Sequence, residues 1–254
     1  MILDNFKLDG KVAIVTGAAR GLGQGMAAGL AEAGADILGV DVLSPLDETR
    51  SKVEDSGCRF AEVKADLSGV ADIDNILQTA RRELGGFDIL INNAGIIRRH
   101  PAHDFPMEDW DLVMNVNLRS LFFLTQAFGK ALIDEGRSGK VISVCSMLSF
   151  SGGVLVAPYT ASKSAVAGIT RLLANEWAEV GINVNGIAPG YMATDNTAPI
   201  RADEARNREI LSRVPMDRWG TPDDLKGTVV FLASSAADYI TGTIVRVDGG
   251  WLTR

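Results

Sequence analysis

Short apolar runs rich in β-branched residues alternate with stretches of helical spacing along almost the whole chain. KVAIVTG (11–17) closes on glycine and has the continuous apolar character of a strand covered on both faces. LGQGMAAGLAEAG (22–34) has apolar positions at helical spacing, with Gly34 as a C-terminal stop. DILGVDV (36–42) is strand-like again. The alternation then runs through RFAEVKADL, a helix around 70–84, FDILINNAG, a long helix near 108–134, KVISVCS, a helix over about 158–179, and INVNGIAPG. This rhythm predicts βαβ units: a parallel, doubly wound sheet with right-handed crossovers and helices on both faces.

One segment breaks the rhythm. TDNTAPIRADEARNREILSRVPMDRWGTPDD (194–224) is polar and irregular, with a short helix predicted in its middle. An insertion of this length in an α/β unit is expected to be a substrate lid. The pattern resumes with TPDDLKGTVVFLAS, where Thr221 is expected to cap a helix and Pro222 to open it. GTIVRVDGG supplies the last strand. With no linker composition anywhere, residues 1–254 read as a single domain.

Composition narrows the class. Of the 254 residues, 46% are hydrophobic and 22% charged, the balance of a soluble chain with a substantial core. The net charge of −7 and the absence of a polybasic run argue against nucleic acid as a partner. Cys58 and Cys145 are the only cysteines, and no Cys/His cluster suggests a metal. Asp4 and Asp9 fall where a signal peptide would be apolar, and no run approaches the roughly 18 residues of a membrane span. A cytoplasmic protein without membrane association is expected.

The first strand runs into TGAARGLG (16–23) and then a helix. Gly17, Gly21 and Gly23 allow a tight turn and a close approach of backbone to phosphate, with helix N–H groups facing the anion. Arg20 and Leu22 lie within the same loop. Asp41 ends the second strand, about 20 residues further on, where a carboxylate can accept hydrogen bonds from ribose hydroxyls. Together these predict a Rossmann-type dinucleotide site. Asp41 would repel a 2′-phosphate and so favours NAD over NADP. Arg20 pulls the other way if it meets a phosphate, unless it is solvated or pairs with Asp41.

In PYTASKSAV (158–166), Tyr159 and Lys163 stand four residues apart, on one face of a helix. An ordinary phenol, with a pKa near 10, is too weakly acidic to act as a base at neutral pH. Such a pair is either a surface contact or an acid–base pair in which the neighbouring ammonium favours the tyrosinate.

TGxxxGxG at 16–23, NNAG at 92–95, Asn117 in MNVNL, Ser146 in VCSM, YTASK at 159–163 and PG at 189–190 followed by Thr194 occur in this order. The set resembles the short-chain dehydrogenase/reductase family from about residue 7 to the C-terminus. That resemblance implies a catalytic group of Asn117, Ser146, Tyr159 and Lys163. Tyr159 would exchange a proton with the substrate oxygen, and Ser146 would hydrogen-bond that oxygen. Lys163 would hold the nicotinamide ribose, and Asn117 would support a water linking Lys163 to solvent. It also implies Asp66 and Leu67 at the adenine, Asn93, Ala94 and Gly95 beneath the coenzyme, and Pro189, Gly190 and Thr194 at its carboxamide or phosphate end. A homotetramer is implied as well, packed through the long helices; Leu118, Phe122, Phe123, Leu172, Leu173 and Trp177 are apolar positions that allow it.

The stretches NAGIIRR, SMLSFSGG, RLLANEWA, GYMATDNT, RADEARNREIL, RWGTPDDL and VDGGWL resemble a subgroup of that family acting on deoxy keto sugar acids of the 2-dehydro-3-deoxy-D-gluconate type. Gluconate 5-dehydrogenases and other sugar or polyol dehydrogenases share many of these motifs; a 3-oxoacyl thioester reductase using NADPH and a non-catalytic dinucleotide-binding regulator are the remaining readings. Asp41 argues against NADPH, and the presence of Ser146, Tyr159 and Lys163 argues against a non-catalytic role. Arg98 and Arg99, just past NNAG, are candidates for the substrate carboxylate beside Ser146 and Tyr159, or a solvated charge pair. Arg201, Arg206, Arg208, Arg213 and Arg218 add cations in the lid. His100 and His103 read as loop residues, and Trp219 and Trp251 as core packing. The stretch 41–59 resembles nothing specific.

Overall fold

A computed structural model describes residues 1–253, the side chain of residue 196 excepted. Seven strands form one parallel sheet: β1 Val12–Thr16, β2 Asp36–Asp41, β3 Phe60–Lys64, β4 Ile89–Asn92, β5 Gly139–Val144, β6 Ile182–Pro189 and β7 Ile244–Val247. Their order is β3-β2-β1-β4-β5-β6-β7. The helices are α1 Gly21–Glu32, α2 Asp47–Glu54, α3 Ile73–Thr79, α4 Met107–Met114, α5 Ser120–Asp134, α6 Ala157–Trp177, α7 Ala198–Ala202, α8 Glu204–Leu211 and α9 Asp223–Ala233.

Strand periodicity explains the layers. Ala13 and Val15 of β1 point into a cluster with Met26 and Leu30 of α1, Val53 of α2, and Leu225 and Val229 of α9. Val12 and Ile14 point the opposite way, into a cluster with Ile76 of α3, Leu124 and Phe128 of α5, and Leu173 of α6. Both faces are therefore dry, which is why these strands read as unbroken apolar runs. Each fully buried Leu, Ile or Phe contributes about 1.5–3 kcal/mol of apolar transfer.

The chain winds outward from β1 to β3 and then crosses back to place β4 on the other side of β1. At that reversal the loops after β1 and β4 diverge and leave a crevice beyond the carboxyl ends of the strands. The two strand ends are stitched together there. Thr16 Oγ1 accepts the N–H groups of Asn93 and Ala94, both at 3.0 Å, and Asn93 Nδ2 donates to the carbonyls of Thr16 (2.9 Å) and Gly17 (3.1 Å).

Three local features differ from the sequence reading. Helix α2 stands in the stretch that resembled nothing specific; its buried Thr49 and Val53 are spaced by four, too sparse a pattern to announce an amphipathic helix. The expected 108–134 helix is interrupted by a π-turn at Asn115–Arg119. Thr221 does not cap α9 with its hydroxyl as acceptor; the Asp224 carboxylate reaches back and accepts the Thr221 N–H at 2.7 Å, while Arg218 grips that carboxylate with two bonds of 2.7 Å. Among the described residues no helix is long and apolar enough to cross a membrane.

Candidate active site

Most residues expected at the coenzyme follow the carboxyl ends of strands, because that is where the parallel sheet delivers its loops; Tyr159 and Lys163 stand on α6 instead. Gly17 and Gly21 both take left-handed backbone, with φ of +67° and +60°. At Gly23 the constraint is contact: a Cβ there would stand 2.0 Å from the Gly17 carbonyl oxygen and 2.5 Å from Asn93 Nδ2. The loop thus packs backbone on backbone and leaves a cradle without side chains at the start of α1, the shape a pyrophosphate requires.

Asp41 is placed by the same loop. Its Oδ2 accepts the Ala19 N–H at 2.9 Å and its Oδ1 the Leu43 N–H at 3.1 Å, so the carboxylate sits fixed at the end of β2 with lone pairs to spare. Arg20 does not pair with Asp41. Its guanidinium meets Asp195 at 2.9 Å, an exposed link between the glycine loop and the first turn after Thr194. Leu22 packs on the core beneath the loop. Asp66 is exposed past β3 and accepts the Ser68 N–H at 2.8 Å, with Leu67 buried beside it. Pro189 ends β6, and the Gly190 N–H bonds the Val247 carbonyl at 3.0 Å.

Asn117 is completely buried in the π-turn, and both ends of its amide grip one backbone unit. Its Oδ1 accepts the Ile96 N–H at 2.8 Å and its Nδ2 donates to the Ile96 carbonyl at 2.9 Å. A π-turn is a common device for aiming a side chain at a functional site. Here it pins the segment carrying Ala94 and Gly95, and Asn117 also reaches Ser162 of α6 at 3.4 Å.

Ser146 follows β5, and Tyr159 and Lys163 lie in the first turns of α6. Ser146 Oγ accepts the Leu148 N–H at 3.1 Å and faces the Tyr159 phenol. Lys163 is 3% exposed; its Nζ lies 5.8 Å from the centroid of the Tyr159 ring and donates to the Val144 carbonyl at 2.6 Å. In the protein alone the ammonium does not produce the expected lowering. Burial pushes the Tyr159 phenol up, the Ser146 hydrogen bond and the Arg99 charge oppose the rise, and Lys163 contributes nothing resolved. The ammonium is itself weakened, since burial lowers Lys163 to about 8. Cys145, which favours the ammonium only as thiolate, is pushed up to about 11 by burial and is a neutral thiol at working pH. The protein alone therefore does not prepare a tyrosinate. A bound positive charge at the same place is needed to bring the phenol down.

The arginines separate. Arg98 is held by Asp109 at 3.2 Å, and the same carboxylate meets His100 Nε2 at 2.7 Å. Arg99 is exposed, forms no ion pair among the described residues, and is the cation that acts on the Tyr159 phenol. In the segment 194–224, Arg201 donates to the Thr194 carbonyl at 3.1 Å, Arg206 pairs with Glu209, and Arg213 stacks over Trp251 at 4.1 Å. Arg208 borders an open hollow on the outer side of α8. Trp219 and Trp251 sandwich Tyr191 at centroid distances of 5.4 and 4.8 Å, and Trp251 packs with Met147, Ile210 and Val214. Packing is thus their role, and the cluster seats the segment against the turn after Ser146. Ser149 was missed by the sequence reading; a second hydroxyl three residues after Ser146 was its only signal. Among the described residues no cluster of His, Cys, Asp or Glu could hold a metal.

A glycine cradle after β1 and a phenol–hydroxyl–lysine group after β5 and on α6, at the same end of the parallel sheet, are the features of a nicotinamide-dependent oxidoreductase. The chain belongs to the short-chain dehydrogenase/reductase family: residues 17–252 match the family model described as enoyl-(acyl carrier protein) reductase. It is 57% identical, over all of both chains, to a 2-dehydro-3-deoxy-D-gluconate 5-dehydrogenase of Dickeya dadantii. It is 54% identical to the enzyme of the same name from Bacillus subtilis, covering 99% of this chain and 98% of that one. A crystal structure from Agrobacterium tumefaciens, described as a 2-deoxy-D-gluconate 3-dehydrogenase with bound NADP, superposes with a TM-score of 0.93 at 52% identity, covering 98% of this chain and 99% of that chain.

Proposed function

We propose that this protein transfers a hydride between a nicotinamide dinucleotide and a secondary alcohol or ketone of a deoxy keto sugar acid of the 2-dehydro-3-deoxy-D-gluconate type. The observation that carries the reading is the grouping of Ser146 and Lys163 about Tyr159, with Arg99, which forms no ion pair among the described residues, acting on the same phenol. The names of the curated relatives support the substrate class.

Gly17, Arg20, Gly21, Leu22 and Gly23 would line the pyrophosphate cradle and Asp41 would take the adenosine ribose. Asp66 and Leu67 would meet the adenine; Asn93, Ala94 and Gly95 would form the floor; Pro189, Gly190 and Thr194 would close the carboxamide end. An oxidised nicotinamide held by these residues would supply the hydride acceptor and a positive charge that favours the tyrosinate. In the oxidation direction Tyr159 takes the proton from the substrate hydroxyl, and Ser146 donates a hydrogen bond to the same oxygen as its charge develops. Lys163, anchored on Val144, would hold the ribose. Asn117 keeps the floor in place through Ile96. Arg99 would bind the substrate carboxylate, and the segment 194–224 would act as the lid.

We take NAD as the coenzyme, since the fixed Asp41 carboxylate opposes a 2′-phosphate and Arg20 is engaged by Asp195. The NADP in the Agrobacterium relative makes Arg20 the residue to watch. Following reduced nicotinamide by absorbance with 2-dehydro-3-deoxy-D-gluconate tests both choices. Turnover is expected with NAD, at a higher kcat/KM than with NADP. A strict requirement for NADP would overturn the role given to Asp41, and turnover of gluconate alone would overturn the substrate.

Arg99→Gln is expected to raise KM for the sugar acid by roughly 10- to 100-fold, corresponding to about 1.5–3 kcal/mol for a charged hydrogen bond, with coenzyme affinity unchanged. Arg98→Gln should change KM little, because Arg98 is already committed to Asp109. Steady-state kinetics on the two variants decide which arginine faces the substrate.

We further infer a cytoplasmic homotetramer. Cys58 and Cys145 are free thiols, in keeping with a reducing compartment. Phe123 of α5 and Leu172 of α6 remain exposed, whereas Leu173 is buried in its own core. Trp177 fits over Gly129 and Leu118 packs inward. The outer faces of α5 and α6 are thus the ones left for a second copy.

A further inference from the structure

Ser149 joins the two elements that carry the reacting groups. It lies in the short turn Met147–Ser149 that follows β5. Its Oγ accepts the Ser146 N–H at 3.3 Å and donates to the Lys163 carbonyl of α6 at 2.7 Å. The bracing is reciprocal, since Ser146 Oγ in turn accepts the Leu148 N–H. Ser146 Oγ spends a lone pair on that turn, which leaves its proton free to be donated. Of the two hydroxyls that tie this turn to the helix bearing Tyr159 and Lys163, Ser149 makes the shorter bond, 2.7 Å against 3.4 Å from Ser164 to the Leu148 carbonyl.

We propose that Ser149 is a positioning residue: by fastening the Ser146 backbone to α6, it holds the Ser146 hydroxyl against the Tyr159 phenol. The proposal rests on the reading of Ser146 and Tyr159 given above. Geometry at a reacting centre is unforgiving, and a displacement of about 1 Å costs on the order of 10²-fold in rate. Without the Ser149 hydroxyl the turn keeps one longer bond to α6, from Ser164 Oγ to the Leu148 carbonyl at 3.4 Å, and can drift from the helix. The groups that face Tyr159 are Cys145 and Ser146 from the end of β5, Lys163 from its own helix, and Arg99 from the loop after β4. Ser149→Ala leaves all four in the chain; it also removes the Ser149 contact with the Cys145 thiol, which stays neutral at working pH, so a change in the titration of Tyr159 chiefly reports its contact with Ser146.

The test compares Ser149→Ala, Ser149→Thr and Tyr159→Phe with the parent protein. One measurement is the ultraviolet titration of tyrosinate in the protein without coenzyme; only three tyrosines are present, and Tyr159→Phe identifies the contribution of Tyr159. The other is kcat and KM against pH, with NAD and 2-dehydro-3-deoxy-D-gluconate. Ser149→Ala is expected to move the Tyr159 titration to higher pH, displace the ascending limb of oxidation the same way, and lower kcat by about 10- to 100-fold with KM for NAD unchanged. Ser149→Thr, which keeps the hydroxyl, is expected to restore both limbs. If Ser149→Ala folds poorly, Ser149→Cys, with a weaker donor of similar size, must show a shift of intermediate size. Parent-like titration and pH limb in Ser149→Ala, with Tyr159→Phe inactive, would overturn the positioning role alone. Activity in Tyr159→Phe would instead overturn the reading of the site on which it rests.

Discussion

Replacing Tyr159 by Phe is expected to lower kcat by about 10²- to 10⁴-fold while leaving the affinity for coenzyme intact. The ring remains to fill its place on α6, and only the group that takes the proton is lost. The pH dependence follows from burial. The phenol lies above its ordinary range in the protein alone, so the base form is scarce at neutral pH and oxidation must speed up as pH rises. Lys163 works against this gain at the alkaline side, because its ammonium, lowered to about 8, loses its proton over the same range. The oxidation profile should therefore climb and then flatten or fall. Tyr159→Phe should abolish the climb. Stopped-flow reduction of NAD across the pH range, with calorimetric NAD binding as control, checks both points. A variant with full activity, or one whose residual rate keeps the ascending limb, would remove Tyr159 from the mechanism.

Gly23→Ala is expected to destroy coenzyme binding and to destabilise the fold. The new methyl would stand 2.0 Å from a backbone carbonyl and 2.5 Å from the Asn93 amide that joins β1 to β4. Neither neighbour can swing aside as the end of a flexible side chain could. Overpacking of this kind costs about 1–3 kcal/mol or more. Relief requires the Gly17 turn to open, and that turn is the phosphate cradle. Loss of NAD binding by calorimetry together with a lower Tm is the expected pair. Gly21 gives a useful contrast, since an added Cβ would meet the Thr194 side chain no closer than 3.7 Å, and its constraint is the left-handed φ of +60°. A Gly23→Ala protein that binds NAD normally would show that the cradle does not need this contact.

The same contrast explains what could be read from the chain. Strand runs such as AIV in β1 and ILI in β4 are apolar at every position because both faces are covered, and that pattern survives in one dimension. The glycine loop, Asp41 and the Tyr159–Lys163 pair were legible because each depends on spacing within one or two adjacent elements. Helix α2 was not, because its inward residues are few and its helicity is supported by packing against α1 and β3. The π-turn at Asn117 leaves no mark in periodicity either; it shifts the phase of one helix by a single residue to bring an amide onto Ile96.

Charge partners are where linear reading failed most. Arg20 and Asp41 are neighbours through the loop, yet Arg20 meets Asp195, 175 positions away in the chain. Arg98 and Arg99 are adjacent and chemically identical, and only the fold gives one an Asp109 partner and leaves the other facing the phenol. The protonation of Tyr159 in the protein alone depends on the fold for a related reason. Spacing places an ammonium nearby, but burial is a property of the packed molecule, and here it outweighs the neighbour and weakens the ammonium too. Residue types at short spacing thus specified the architecture and the reacting groups, since backbone geometry alone converts such spacing into proximity. The partners, the burial and the resulting proton affinities came only with the tertiary structure, since they depend on which distant surfaces the sheet brings together and how much water it excludes.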